Sequence, residues 1–470
     1  MFIYIFNSVK DMESKNFVID EYDIKLDYER DRLYGLSKDS IIELSKLKKE
    51  PEWMLKLRLK YFEKALSLPK SNWLPVDLDL SNYNIYTKPK IKASSYEELP
   101  QSLKEYYDKL GIPESERKFL AGAVSILDSE AIYSKSQEIL EKKGIIMMPM
   151  EEAVKKYDIL KDYFMNALDS QYQIAALHAA TWSGGVFVYV PKGVHLEIPI
   201  EGIFIIGSEN TIQAEHTIII ADEGSSVTYV EGCFAPRLST SSIHNGGVEV
   251  YVKDNARVKY ITIQNWSSNI INISNKRGIT YRNANLHWIE GSLGGYHSFS
   301  YPSTILEGEN SSSTSMLLTL AGEEGEWKEG GSKMIHRAPN TKSKIISKSV
   351  SFNGGNASYR GLVKIEKGAK NSKAYVKCDS LVLDEKSRAY TFPHNQVFED
   401  TAEVAHEAYT AKMSIDQLFY LENRGFEEKE ALSMLVTGFM DDIIREFPFQ
   451  YATMLNNLMR LELDKIGALA

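Results

Sequence analysis

The sequence predicts an α+β chain in which a long run of short strands lies between two helical regions. Three observations carry this: apolar residues at helical spacing in the first third, strands broken by small polar turns from about Val186, and a return to helices after Phe398. The limits that follow are a helix-rich region over 1–185, a strand-built core over 186–398 and a helical region over 399–470.

Glu52-Trp53-Met54-Leu55-Lys56-Leu57-Arg58-Leu59-Lys60 and Ser115-Glu116-Arg117-Lys118-Phe119-Leu120-Ala121-Gly122 read as amphipathic helices. Between them, Leu80 to Lys92 repeats Asn and Tyr and carries Pro89, which predicts a loop or an extended connection. In the core, Asp222-Glu223-Gly224-Ser225, Lys253-Asp254-Asn255-Ala256, Arg282-Asn283-Ala284-Asn285, Glu307-Gly308-Glu309-Asn310 and Lys367-Gly368-Ala369-Lys370 each separate β-branched or aromatic runs. Turns recurring over about two hundred residues suit a coil of stacked rungs, a β-helix. A large β-sandwich satisfies the same turn spacing.

Alternate residues of a strand face opposite ways, so pattern gives direction. Ala374, Val376, Cys378, Ser380 and Val382 share the small and apolar face, which turns Cys378 inward, while Lys373, Lys377 and Asp379 lie on the other. Val227, Tyr229, Glu231 and Cys233 share a face, as do Val258, Tyr260, Thr262, Gln264 and Trp266. Glu231 and Gln264 then face an interior unless a bulge returns them to water. Buried polar groups must pair or line a hydrated path.

Past the core, Ser414 suits the N-cap of a helix reaching Arg424, and Gly425 stops it. A longer helix spans Phe426 to Phe447, ahead of Pro448, and a third from about Gln450 carries Met454, Leu455, Leu458 and Met459. Their apolar stripes either dock a partner or pack on one another.

A net charge of -9, with acidic and basic residues interspersed, argues against a nucleic-acid binder. Two cysteines make no disulfide framework, and without a Cys-x-x-Cys pair they suit a reducing compartment. The apolar start Met1-Phe2-Ile3-Tyr4-Ile5-Phe6 is short and interrupted by Lys10, Asp11 and Glu13, unlike a signal peptide, and nothing later has the ~20 apolar residues of a membrane span. Lysine far outnumbers arginine, and Ile, Asn and Tyr are abundant, a bias of AT-rich genomes.

Chemistry concentrates around the two cysteines. A thiolate is a strong nucleophile and a soft ligand for iron, while imidazole and carboxylate are harder ligands. An inward cysteine is by itself ordinary core, and His406-Glu407 is not a His-Glu-x-x-His zinc motif, because residue 410 is threonine. The order and gaps of Tyr359-Arg360-Gly361-Leu362-Val363, Cys378-Asp379-Ser380-Leu381 and His406-Glu407-Ala408 nevertheless closely resemble SufB of the SufB/SufD family. That is the scaffold subunit of the SUF pathway of iron–sulfur cluster assembly. The wording around Cys233, Val230-Glu231-Gly232-Cys233-Phe234-Ala235-Pro236, and both N-terminal helical segments are similar too.

The resemblance implies a right-handed parallel β-helix, with Cys233 as persulfide acceptor and Gln264, Trp266 and Lys276 along the sulfur route. It implies that Cys378 and Glu407, joined by His406, hold a nascent and transient cluster, a 4Fe-4S cluster by the family pattern, with a reduced flavin as a further candidate cofactor. The implied partners are the SufC ATPase on the C-terminal helices, the sister subunit SufD, a cysteine desulfurase with its sulfur shuttle (SufS/SufE) and apo iron–sulfur proteins. Neither nucleic acid nor a membrane is among them. The chain lacks a phosphate loop, so it is expected to be a scaffold, not an enzyme, with ATP hydrolysis supplied by SufC. Two departures stand out: Ile205 and Gly207 where many bacterial members carry Arg and Asn, and Ala405 where some carry an acid. A structural SufD-like subunit is the competing function, and a secreted carbohydrate enzyme of β-helix form is a third. The resemblance and composition together suggest a plastid address, apicoplast or chloroplast stroma, with a bacterial cytoplasm as the alternative.

Overall fold

The computed structural model describes residues 28–70, 80–91, 93, 98–109, 122–136, 138–168, 172–236 and 238–464. Its centre is a parallel β-helix in which the chain passes alternately between two sheets. From Ile200–Ile205 onward the first sheet adds Ser226–Phe234, Arg257–Asn265, Asn285–Ser292, Ser312–Ala321, Lys342–Ser351, Lys373–Val382 and Glu403–Lys412 in sequence order. Each pairs in parallel with the next, as when Tyr229 sits opposite Tyr260 and Tyr260 opposite Trp288. The second sheet does the same through Ser242–Val252, Ile270–Thr280 and His297–Leu306 to Arg388–Val397. Neighbours one rung apart in sequence, all parallel, make the β-helix and dispose of the sandwich.

One corner of the coil is built from a repeated conformation. Gly224, Asn255, Asn283, Asn310, Asn340 and Asn371 follow one another up the coil with positive φ, between 56° and 67°. Asparagine tolerates that left-handed turn better than other side chains. The stacked amides also bond: Asn283 Nδ2 donates to Asn255 Oδ1 at 3.0 Å, and Asn371 Nδ2 to Asn340 Oδ1 at 3.3 Å. The asparagine in three of the predicted turns is therefore the residue that closes the rung.

Both faces of the central strands are covered, and all eleven residues of Ser242–Val252 are buried. Inside the coil lie Val188, Val227, Tyr229, Cys233, Val250, Tyr260 and Trp288. Outside the first sheet, Phe234, Ile263, Ile289 and Leu318 meet Met440, Ile443, Leu455 and Leu458 of the C-terminal helices. Outside the second, Phe187, Ile218 and Tyr251 meet Met54, Phe62 and Trp182 of the N-terminal region.

The strand system exceeds the predicted 186–398 at both ends. Gly122–Leu127 and Glu130–Ser136 join the first sheet ahead of it, and Glu403–Lys412 completes the sheet beyond it. That last strand lacks the apolar alternation of the inner rungs, and residues on both of its faces are largely exposed, so nothing in its sequence marks a strand. The N-terminal region is correspondingly mixed: helices Lys38–Leu47 and Glu52–Ser67, the second containing the predicted segment, accompany the hairpin-like pair Tyr28–Tyr34 and Asn84–Pro89. Where a loop or extended connection is expected, Leu80–Asn82 forms a short turn and Asn84–Pro89 an extended strand, and Lys92 falls outside the described residues. The helix expected from Ser115 falls outside the described residues up to Ala121, and Gly122 opens a strand; Met1 to Phe6 also fall outside.

Among the described residues three helices follow the coil: Ile415–Glu422, Glu428–Ile444 and Phe449–Asp464. Ser414 caps the first by accepting from the Gln417 N–H, and Gly425, at φ 94°, follows its end. Met454, Leu455, Leu458 and Met459 lie against the coil as well as the neighbouring helix, so this stripe is already covered. Lys259 Nζ donates to the Glu446 carbonyl at 2.8 Å and Lys348 Nζ to that of Phe439 at 2.6 Å, fixing the helices across the first sheet. Among the described residues no helix is long and apolar enough to cross a membrane.

Candidate functional site

Cys233 lies on the inner face of the first sheet, fully buried. Its Sγ donates to Glu231 Oε1 at 3.6 Å, and the other oxygen of Glu231 accepts from Tyr260 OH at 2.5 Å. Thr262 Oγ1 contacts Glu231 Oε1 at 3.4 Å, Gln264 Nε2 donates to Thr262 at 2.9 Å, and Trp266 Nε1 to Gln264 Oε1 at 2.9 Å. Glu231 and Gln264 therefore face the interior, as strand period predicts, and pair rather than return to water. Lys276 reaches in from the second sheet and meets Glu290 Oε2 at 2.8 Å. Cys233, Gln264, Trp266 and Lys276 thus gather in one polar interior.

Electrostatics decide what this thiol can do. Burial first, then the Glu231 and Glu215 carboxylates, hold the Cys233 thiol well above its usual range, and Lys276 pulls only partly the other way. Burial also raises Glu231, which makes its carboxylate a stronger base for the proton it already receives from Sγ. For Lys276, burial favours the neutral form but Glu290 and Glu231 outweigh it, so the ammonium is held charged. At rest the buried thiol is therefore held neutral, with the Glu231 carboxylate accepting its hydrogen bond and the Lys276 cation acting on it.

Parallel register extends the row beyond one rung. Opposite Cys233 stands Gln264, then Ser292, Thr319, Ser349 and Ser380, each the in-register partner of the last and all buried. The adjacent inward row runs Glu231, Thr262, Glu290, Leu317, Ser347 and Cys378. Facing it across the coil, His244, Asn272, Ser298 and Lys328 form a polar row of the second sheet. Bonds cross between the sheets, Ser300 Oγ to Glu290 at 2.9 Å and Trp288 Nε1 to Thr304 at 2.9 Å. Ile205 faces outward into the helix-covered layer and Gly207 gives its N–H to Asp128, so neither departure narrows this interior.

At the far end, Cys378 Sγ lies 3.6 Å from His406 Nε2, one rung on. Burial raises the thiol to about 12 despite a hydrogen bond from Tyr359, and burial lowers His406. Glu407 does not join them. It follows His406 on the strand and so points the opposite way, exposed, accepting from Tyr375 OH at 3.3 Å. Asp379 differs from expectation in the other sense, being largely covered on the outer face beside Lys377.

Two groups near Cys233 went unrecognised in the sequence. Glu215 and His244 come from separate rungs of the second sheet, and with Cys233 they place three ligand-type atoms within 4.8 Å of one another. Their separations along the chain match no motif, so only the fold joins them. A second buried line, His178 to His216 at 2.8 Å and His216 to Glu249 at 3.0 Å, ties a helix to the coil; Glu249 accepts backbone N–H groups of Met165, Ala167 and Leu168. Its partners are all structural.

The site is thus part of a parallel β-helix protein with one thiol in a polar interior and a second, beside a histidine, near its last rung. Comparison with known proteins gives the family. The family described as SUF system FeS cluster assembly, SufBD core domain, matches residues 204–439. Iron-sulfur cluster assembly SufBD family proteins of Staphylococcus epidermidis, Staphylococcus saprophyticus and Staphylococcus haemolyticus are each 42% identical over 435 residues, 92% of this chain and 93% of theirs. The chain belongs to the SufBD family of iron–sulfur cluster assembly proteins. These relatives are bacterial, which suits the second of the two expected addresses and lends nothing to the plastid one.

Proposed function

We propose that this chain is the scaffold member of its family, accepting sulfur at Cys233 and holding a nascent cluster at Cys378, not a SufD-like structural partner. The observation that carries this is the unbroken in-register row from Cys233 through Gln264, Ser292, Thr319 and Ser349 to Ser380, beside Cys378. A purely structural coil would fill its axis with aliphatic side chains; this row is polar instead.

In the first step the Cys233 thiolate, its proton taken by Glu231, attacks the outer sulfur of a persulfide on the desulfurase shuttle. The donor leaves as thiolate and Cys233 carries the persulfide, with no net oxidation. Releasing that sulfur as hydrosulfide takes two electrons from a donor outside these side chains. A reduced flavin is the candidate, and no residue is assigned to it. Polar side chains of the row, with Lys276 as the fixed cation, would guide the anion.

At the other end Cys378 and His406 supply two ligands to the cluster, which is cargo here, and a four-iron cluster needs more. The remaining ligands are assigned to a SufD-like sister subunit docked on the last rung, where the strands Arg388–Val397 and Glu403–Lys412 expose Val397 and Tyr409 and the adjoining Phe398 is exposed too. A SufC-type ATPase is assigned to the C-terminal helices, where Ile415, Phe419 and Tyr420 remain exposed after the inner stripe has packed. The completed cluster would then pass to apoproteins.

The test is persulfide mapping by mass spectrometry of wild type, Cys233→Ala and Cys378→Ala after treatment with desulfurase, shuttle and cysteine. Sulfur on Cys233 in the Cys378 variant, with none on Cys378 in the Cys233 variant, is the expected result. Loading of Cys378 at the wild-type rate without Cys233 would replace the route by direct delivery.

A further inference from the structure

We infer that Glu215, Cys233 and His244 form a binding site for one divalent first-row transition ion inside the coil, separate from the Cys378 end. The three ligand atoms lie within 4.8 Å of one another, and all three residues are buried. Zinc-type bonds of about 2.0–2.3 Å give tetrahedral edges of about 3.3–3.8 Å, so small side-chain adjustments suffice to close the set.

Three features beyond proximity point to a ligand. Glu215 Oε2 is buried with no hydrogen-bond partner among the described residues, a state that costs free energy unless something occupies it. His244 is oriented as a metal-binding imidazole usually is: its Nδ1 lies 2.7 Å from Asn272 Oδ1, while Asn272 Nδ2 donates to Ser298 at 2.8 Å, which fixes the amide and makes Nδ1 the protonated nitrogen. Nε2 is thereby aimed at the site, where it contacts Glu215 Oε1. Gly246 provides the room, since a Cβ there would come within 2.6 Å of Glu215 Oε1 and 2.8 Å of His244 Cε1.

The chemistry balances. With Nδ1 protonated, the His244–Glu215 contact holds one proton between Nε2 and Oε1, and Cys233 holds another. Entry of M²⁺ forms the three metal–ligand bonds and expels both protons, so thiolate and carboxylate neutralise the dication in the buried site. A thiolate, imidazole and carboxylate set suits iron(II), cobalt(II) or zinc(II), and three protein ligands leave a fourth position open. The inference does not depend on Cys233 accepting sulfur, because metal binding and persulfide loading are read separately.

Cobalt(II), added anaerobically to the full-length protein, is the probe. Wild type and Cys378→Ser should each develop a thiolate-to-cobalt charge-transfer band and the visible bands of tetrahedral cobalt, saturating at one equivalent. Cys233→Ser should lose the charge-transfer band. Glu215→Gln, which keeps the shape and the bond to His244, should bind at least tenfold more weakly. Displacement by iron(II) or zinc(II) then ranks the native candidates. An undiminished band in Cys233→Ser, loss of the band in Cys378→Ser, or wild-type affinity in Glu215→Gln would each overturn the site. Far-ultraviolet circular dichroism checks folding, and if Cys233→Ser does not fold, the affinity of Glu215→Gln decides.

Discussion

Cys233 and Cys378 stand on neighbouring inward rows of one parallel sheet, five strands apart, which at ~4.8 Å per strand separates them by ~24 Å. No third cysteine exists to relay sulfur by thiol exchange. Sulfur passing between them must therefore leave the first thiol as a small species and travel along the side chains in register between them.

That requirement makes the hydroxyls of Thr319 and Ser349 testable. Thr319→Val keeps the shape and removes the hydroxyl; Ser349→Val also breaks the 2.9 Å bond to Ser380 Oγ. Both variants should load Cys233 at the wild-type rate but form cluster at least tenfold more slowly, since an anion crossing an apolar rung loses its hydrogen-bond partners. Timed persulfide mapping alongside visible absorption separates the two stages. Unchanged cluster formation in both variants would remove the row from the mechanism.

At the second thiol, the geometry separates two residues that sequence placed together. His406→Ala should reduce reconstituted cluster content about as strongly as Cys378→Ser, whereas Glu407→Ala should reduce it less, because Glu407 faces away from Sγ. Iron and sulfide analysis after anaerobic reconstitution with the partner subunits gives the comparison. A loss confined to Glu407→Ala would mean that the last strand turns over on assembly.

The contrast between His406 and Glu407 also indicates what was legible. Alternation placed Cys378, Glu231 and Gln264 inward because their strands carry apolar residues at every second position, and burial follows that rule. The same rule would have parted His406 from Glu407, but Glu403–Lys412 closes the coil with both faces largely exposed and without apolar alternation, so it gave no strand signal. Glu215 and His244 were beyond reach for another reason: they meet Cys233 only through the pitch of the coil, and no local pattern encodes that. The row from Gln264 to Ser380 likewise needs register, which strand recognition alone does not supply.

Asp128 should make stability depend on pH. Its carboxylate accepts from the Gly207 and Ser208 N–H groups and from Tyr28 OH, yet burial outweighs these bonds and pushes it up to about 6. A carboxyl raised in the folded state stabilises fully below its unfolded value of ~4, and this contribution is lost as pH rises through about 6. Asp128→Asn cannot ionise, so relative to wild type it should gain on the order of 2–3 kcal/mol between pH 4 and pH 7. Denaturant unfolding of both proteins at the two pH values measures it. A difference that stays constant with pH would show that burial does not govern this group.

The C-terminal helices should separate folding from docking. Leu455 is fully buried against the coil, so Leu455→Ala should cost about 2–5 kcal/mol. Ile415 and Phe419 sit on the first of the three helices at 80% and 62% exposure, so Ile415→Glu and Phe419→Glu should change stability by less than about 0.5 kcal/mol. Cutting the chain after Asp400 would be a poorer test, because it removes the strand Glu403–Lys412 and uncovers the apolar face beneath the helices. If the exposed residues form the ATPase-docking surface, the double variant Ile415→Glu, Phe419→Glu should fold normally but fail to co-purify with the ATPase subunit, whereas Leu455→Ala should retain it under conditions where it remains folded. Co-purification of the double variant at the wild-type ratio would locate that partner elsewhere, because two buried carboxylates without partners are not tolerated at the centre of an apolar contact.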